Sequence, residues 1–230
     1  MPIQTLTTPN GSVALLSRRQ MLAGQGKAFA ATNPTPGTAI AYANKTAYSA
    51  TANGLFSIYN GNAEGGPNIY LDRLKLIQTA TAPTGGLVTR FEFITETGNV
   101  ALTGSALAVT PVNLLNGPGA ASTFATVTFF SAGAGTVAAA VGTRRIAYVG
   151  SIATGVNVQY DSWSFIFGDD GIANGTAPLA AARATAPADL VVACPAVVVA
   201  PQSSLWMNLW GITPAANVPS YEFDLTYFEV

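Results

Sequence analysis

The chain has 230 residues with one Cys and no His, and only 9% of them are charged, far below the roughly 25% of ordinary soluble domains. Lacking imidazole, it can build no Ser-His-Asp triad, no Cys-His pair and no His-based metal site, and Cys194 alone excludes an intrachain disulfide or a thiolate zinc cluster. With 10 basic and 11 acidic residues the net charge is −1, so no field steers a polyanion and duplex nucleic acid is not an expected partner.

Residues 1–37 read as an extended N-terminal arm or lead-in. Met1–Asn10 has no basic n-region and Val13–Leu16 is too short for a signal h-region, so no export signal is expected. Ser12–Leu22 carries a weak helical pattern, and Asn33-Pro34 and Pro36-Gly37 mark irregular backbone. An ordinary first strand plus loop is the alternative for this stretch. The body of the chain, 38–230, is expected to be one β domain.

Within it, Leu55–Tyr59 is bounded by Asn53-Gly54 and by Asn60-Gly61-Asn62, which predicts a strand. Ile69–Thr79 is a longer run, and Leu87–Thr95 alternates. Leu87, Thr89, Phe91 and Phe93 share one face; Arg90, Glu92 and Glu96 share the other, which reads as solvated. The Gly/Pro/Thr-rich link predicts that 69–79 and 87–95 form a hairpin, with Arg73 and Lys75 across from Arg90, Glu92 or Glu96. Thr123–Phe130 and Arg144–Ile152 read as strands around an Ala-Gly loop. Ser162–Phe167 alternates, with Trp163, Phe165 and Phe167 together. Leu190–Val199 reads as a continuous strand covered on both faces, and at ten residues it is too short to span a bilayer, so no membrane is expected. Leu205–Ile212 follows. Tyr221–Val230 closes the chain with Tyr221, Phe223, Leu225 and Tyr227 inward and Glu222, Asp224 and Thr226 outward, a pattern expected near the middle of a sheet. Nine or ten strands without a long helix predict a sandwich or barrel.

The segments Asn53–Asn62 and Gly66–Leu74, and the ending from Val197 through Leu205–Trp210 to Tyr221–Glu229, resemble virion proteins of tailed bacteriophages, small jelly rolls that decorate or join particles. The resemblance lies in strand punctuation over residues 53–230. It implies an all-β, antiparallel jelly-roll-like β-sandwich, a place in the virion (made in the host cytoplasm, with capsid, neck and tail all open), other virion proteins as partners and self-association. The three-fold order of a homo-trimer comes from it as well. It carries over no catalytic residue.

Gly168-Asp169-Asp170-Gly171 with Asn174, and Asp161 before it, is the densest carboxylate cluster. It could offer oxygens to calcium, but it lacks the spacing of a 12-residue calcium loop, and Asp-Gly is an ordinary turn. No metal is expected there. Glu92 and Glu96 are the best pair for carboxylate hydrolysis by eye. Gly65-Gly66-Pro67 and Gly133-Ala134-Gly135 lack the Lys and helix of a phosphate cradle, so no cofactor is expected. Arg18-Arg19 and Arg144-Arg145 are isolated basic pairs, and Cys194 reads as a small buried hydrophobe.

Trp206, Asn208 and Trp210 alternate with Leu205, Met207 and Leu209. The aliphatic face must be core. For the indole face, burial beneath a loop comes first, a subunit interface second and a carbohydrate platform third. The expected function is therefore a non-enzymatic, self-assembling virion structural protein; the alternative is a carbohydrate-binding or adhesive module using that face. Few lysines guard the sheet edges, since the chain has only Lys27, Lys45 and Lys75.

Overall fold

The computed structural model describes residues 5–7, 13–15, 17–35, 37–41, 49, 51–52, 54–79, 88–117, 120–130, 135–137, 144–153, 162–168, 189–211 and 220–230. A small hairpin, β1 (Thr5–Thr7) with β2 (Val13–Leu15), precedes the single helix of the described residues, α1 (Arg18–Gly24). Ser17 starts α1 with a capping box: its Oγ accepts from the Gln20 N–H and its own N–H donates to Gln20 Oε1. Within the stretch read as a lead-in, β3 (Ala28–Thr32) is an inner strand of the domain, and β4 (Ile40–Ala41) adds a short pairing after it.

The remaining strands are β5 (Gly54–Asn60), β6 (Ile69–Gln78), β7 (Val88–Glu96), β8 (Ala106–Ala108), β9 (Val112–Asn113), β10 (Ala125–Phe130), β11 (Arg144–Ala153), β12 (Ser162–Phe167), β13 (Asp189–Cys194), β14 (Val198–Val199), β15 (Ser204–Gly211) and β16 (Ser220–Glu229). They form a six-stranded sheet in the order β11-β7-β15-β5-β10-β8, and a larger one in the order β13-β12-β6-β16-β3-β9 with β14 and β4 attached.

The eight main strands in chain order are β3, β5, β6, β7, β11, β12, β15 and β16. The first pairs with the last, the second with the seventh, the third with the sixth and the fourth with the fifth, all antiparallel. One long hairpin has been wound across two sheets, which is the jelly roll. The expected all-β antiparallel sandwich is therefore the observed fold, with one parallel exception, β12 against β13. The last strand lies between β6 and β3, inside its sheet as expected.

The winding corrects the expected hairpin. β6 and β7 lie in opposite sheets and do not pair, and Arg73 and Lys75 face β16 and β12 rather than β7. Leu190–Val199 is also not one covered strand. It breaks at Pro195 into β13, at the edge of the larger sheet, and β14, whose Val198 is exposed. Proline has no N–H to give a ladder and confines strands to edges.

The core lies between the sheets. Phe56, Phe91, Phe93, Phe129, Leu205, Met207 and Leu209 come from one side, and Phe29, Leu74, Leu76, Phe165, Phe223, Leu225 and Tyr227 from the other. Phe129 stacks on Phe223 across the gap, and Phe93 meets Phe165 and Phe167 edge-on. Such pairs add about 0.5–1.5 kcal/mol each beyond burial.

A second, smaller cluster covers the outer face of the six-stranded sheet: Ile94, Leu102, Phe130, Val137 and Trp206, with Val100 against it. Residues 97–105 and 135–137 are drawn over that face as a strap. Thr103 and Thr136 exchange two main-chain hydrogen bonds of 2.8 Å, and Gly54 and Gly135 exchange two of 3.0 and 2.9 Å. Close approach requires glycine at position 54, where a Cβ would stand 2.2 Å from Leu102 Cδ2 and 3.2 Å from the Gly135 carbonyl oxygen.

Candidate functional site

The strand β15 supplies the face singled out by sequence. Leu205, Met207 and Leu209 enter the main core as expected. Trp206, Asn208 and Trp210 point to the opposite face and are 0%, 1% and 6% exposed. Trp206 is enclosed by the strap, Ser204 Oγ donates to the Val100 carbonyl at 2.7 Å, and Asn208 Nδ2 donates to the Ser49 carbonyl at 3.3 Å. A sugar platform needs open ring faces, and these rings are packed within the chain. Burial, the first of the three readings of this face, is what these residues show.

Glu92 and Glu96 are corrected as well. Their face was expected to be solvated, yet both are fully buried. In the β7–β15 register Glu92 stands opposite Asn208, Ile94 opposite Trp206 and Glu96 opposite Ser204, so the acids share the strap-covered face. Glu96 Oε1 accepts from the Gly98 N–H at 2.7 Å, which turns the chain into the strap. Its Oε2 and the Trp206 indole N–H are buried without a hydrogen-bond partner among the described residues. Beneath a packed strap, Glu96 is not placed in an open catalytic cleft.

On the outer face of the larger sheet the polar residues do meet solvent. The β6–β16 register slips at Asp72, and this bulge turns both Asp72 and Arg73 outward. Arg73 pairs with Asp224; Asp72 accepts from Arg19 Nε at 2.8 Å and from Thr226 Oγ1 at 3.0 Å. Arg18 lies over the Tyr70 ring at 5.8 Å. The pair Arg18-Arg19 thus sits on α1 and docks the helix to the sheet. Because the Arg19 side chain is 64% exposed, its ion pair is worth only ~0–1 kcal/mol. A groove of about 470 Å³ runs along α1, lined by Arg19, Gln20, Asp72, Arg73, Ile166 and Phe228, and another of about 400 Å³ flanks the other side. Both signs of charge line the first groove, so it does not select an ion by charge.

At one end of the sandwich Glu229 performs a joining role that sequence reading missed. Its Oε1 accepts from Thr123 Oγ1, from the Phe124 N–H at 2.9 Å and from the Ala125 N–H at 3.2 Å, tying β16 to the start of β10. The Thr123 hydroxyl also reaches the Tyr227 hydroxyl at 2.7 Å. Burial holds the Tyr227 phenol protonated well above its usual range; the Thr123 hydrogen bond opposes the shift and the Glu229 charge adds to it. An inward acid ending an alternating strand was the available signal. Burial likewise pushes the Cys194 thiol up to about 12, so it is protonated at neutral pH, as suits a small hydrophobe.

The Asp161, Asp169, Asp170 and Asn174 cluster lies outside the described residues, as do the side chains of Arg144 and Arg145. Among the described residues no three His, Cys, Asp or Glu side chains gather as a metal site, and no helix is long and apolar enough to cross a membrane. Gly65-Gly66 is a turn, closed by the Gly66 N–H on the Ala63 carbonyl. No protein-family model, curated protein or solved structure matches the chain.

Proposed function

We propose that this chain is a non-enzymatic structural protein of a virus particle of the tailed-phage kind, which self-assembles and attaches to a capsid, neck or tail. The observation that carries the reading is where the acids are used. Asp72, Glu96, Glu222, Asp224 and Glu229 each accept a hydrogen bond or ion pair that holds one part of the fold to another. Carboxylates placed this way stabilise a scaffold; general acid–base work needs them free at a cleft. The wound eight-strand sandwich and the absence of His from the sequence point the same way.

Self-association is supported by the edges. Among the described residues β11 and β13 end their sheets with one side of the ladder unpaired. Around the edge strand β9, Val112, Leu114 and Leu115 are 63%, 47% and 40% exposed. Copies meeting there would form a closed ring, of which the trimer is the proposed order.

Two measurements test the reading. Light scattering at micromolar concentration should give a closed oligomer for the full chain, and a monomer would overturn self-assembly. Mass spectrometry of particles purified from the producing host should find the chain in stoichiometric amount, and its absence from them would overturn the virion assignment. A version beginning at Ser17 keeps α1 and all eight main strands, so an oligomer lost on that truncation would assign contact to residues 1–16.

A further inference from the structure

The dipeptide Asn-Gly occurs twice with both residues described, at Asn60-Gly61 and Asn116-Gly117, and the two environments are opposite. We infer that Asn116 is a site of spontaneous covalent modification, in which its side-chain amide is converted through a cyclic imide to a carboxylate, while Asn60 is held inert by the fold.

The chemistry needs three things. The main-chain nitrogen of the following residue must lose its proton to hydroxide or a buffer base. That nitrogen must then reach the Asn Cγ, and the side-chain amide must be free to rotate toward it. The new bond joins the Gly117 nitrogen to Asn116 Cγ; the Cγ–Nδ2 bond breaks, and ammonia leaves after taking a proton from the conjugate acid. Water then opens the five-membered imide at either carbonyl, leaving an aspartate or an isoaspartate at position 116. No oxidant, metal or enzyme enters the balance.

Asn116 and Gly117 leave the way open to all three. Both residues are exposed. Among the described residues neither the Asn116 amide nor the Gly117 N–H has a hydrogen-bond partner, and the Gly117 carbonyl accepts from the Ala120 N–H at 3.2 Å. A Cβ built on Gly117 would find no atom within 4 Å, so that side of the residue stands in open space. Asn60 fails on every count. It is 0% exposed. Its Nδ2 donates to the Pro67 and Val199 carbonyls at 2.9 and 3.0 Å, and its Oδ1 accepts from the Asn62 N–H at 3.1 Å. The nitrogen that would attack, that of Gly61, donates to the Phe124 carbonyl at 3.2 Å. The product at 116 would place a negative charge next to the exposed Leu114 and Leu115. Where the proposed assembly uses that patch, the same chemistry would age the contact.

The test incubates the folded full chain at mildly alkaline pH and follows, by peptide mapping and mass spectrometry, the peptides that carry Asn116 and Asn60. Conversion at 116 should outrun conversion at 60 and should rise with pH, and in denaturant the two should converge. Gly117→Ala adds a methyl into open space and should slow conversion at 116 by roughly tenfold or more, since Gly alone leaves the backbone free to approach. Asn116→Gln should abolish it. Equal rates in the folded chain, an intact Asn116 beside a converted Asn60, or a Gly117→Ala rate like that of the parent would each overturn the inference.

Discussion

The two sheets carry the same polar signature on their outer faces and put it to opposite uses. On the larger sheet Arg73, Glu222 and Asp224 stand half-exposed, and the Asp72 bulge docks a seven-residue helix through a solvated ion pair. On the six-stranded sheet Glu92, Glu96 and Asn208 occupy equivalent alternating positions, yet all three are buried, and beside them a strap closes over Trp206. Alternation therefore identifies which residues turn away from the core, and a covering segment decides whether they meet water. The cost of losing a polar group should differ accordingly between the two faces.

The largest effect is expected at the buried centre of that contrast. Trp206→Ala removes the side chain on which the strap closes and should lower stability by about 3–5 kcal/mol, as large-to-small core changes do. Urea denaturation would measure it; a loss below about 1 kcal/mol would mean that the strap does not pack on the sheet in solution. Glu96→Ala should come next, at about 1–3 kcal/mol, because it empties a fully buried site beneath the strap and removes the acceptor of the Gly98 N–H. On the opposite face Asp224→Ala leaves Arg73 free to turn to solvent and should cost only ~0–1 kcal/mol. If Asp224→Ala matched Glu96→Ala by the same denaturant midpoints, the two faces would be equivalent and the comparison would fail. The smallest effect belongs to Arg19→Ala. Its pair with Asp72 is screened, so the loss should be ~0–1 kcal/mol and should shrink further in high salt.

Much of the sandwich was legible because burial at period two leaves its mark on the sequence. Tyr221, Phe223, Leu225 and Tyr227 face inward as their spacing requires, and so do Leu205, Met207 and Leu209. What failed was long-range. A Gly/Pro-rich link between two strand patterns reads as a tight hairpin, but the same composition serves a crossing between sheets, and nothing local separates the two. The burial of Glu96 is not legible in the alternation, because the strap over its face comes from residues 97–105 and 135–137, whose turns and small side chains give no periodic signal. Ala28–Thr32 does not stand out from the lead-in because Ala-Phe-Ala-Ala-Thr is a weak strand pattern, and its place is set by β16 rather than by its own residues. Of the candidate face, the direction of Trp206, Asn208 and Trp210 was readable; their cover was not.

The pairing of the first main strand, β3, with β16 has a consequence for how the molecule comes into being. β3 lies between β16 and β9, and the Phe223 N–H is received by Asn33 Oδ1, a partner about 190 residues earlier. During synthesis β3 must wait beside an empty position until Ser220–Glu229 leaves the ribosome, as must one flank of β6. The larger sheet thus closes from its final strand inward, and folding is a late event with slow, non-local contacts. A chain halted before residue 220 would expose two unpaired ladders at the heart of the sheet, and it would be handled by the cell as an aggregation hazard rather than as a shortened protein.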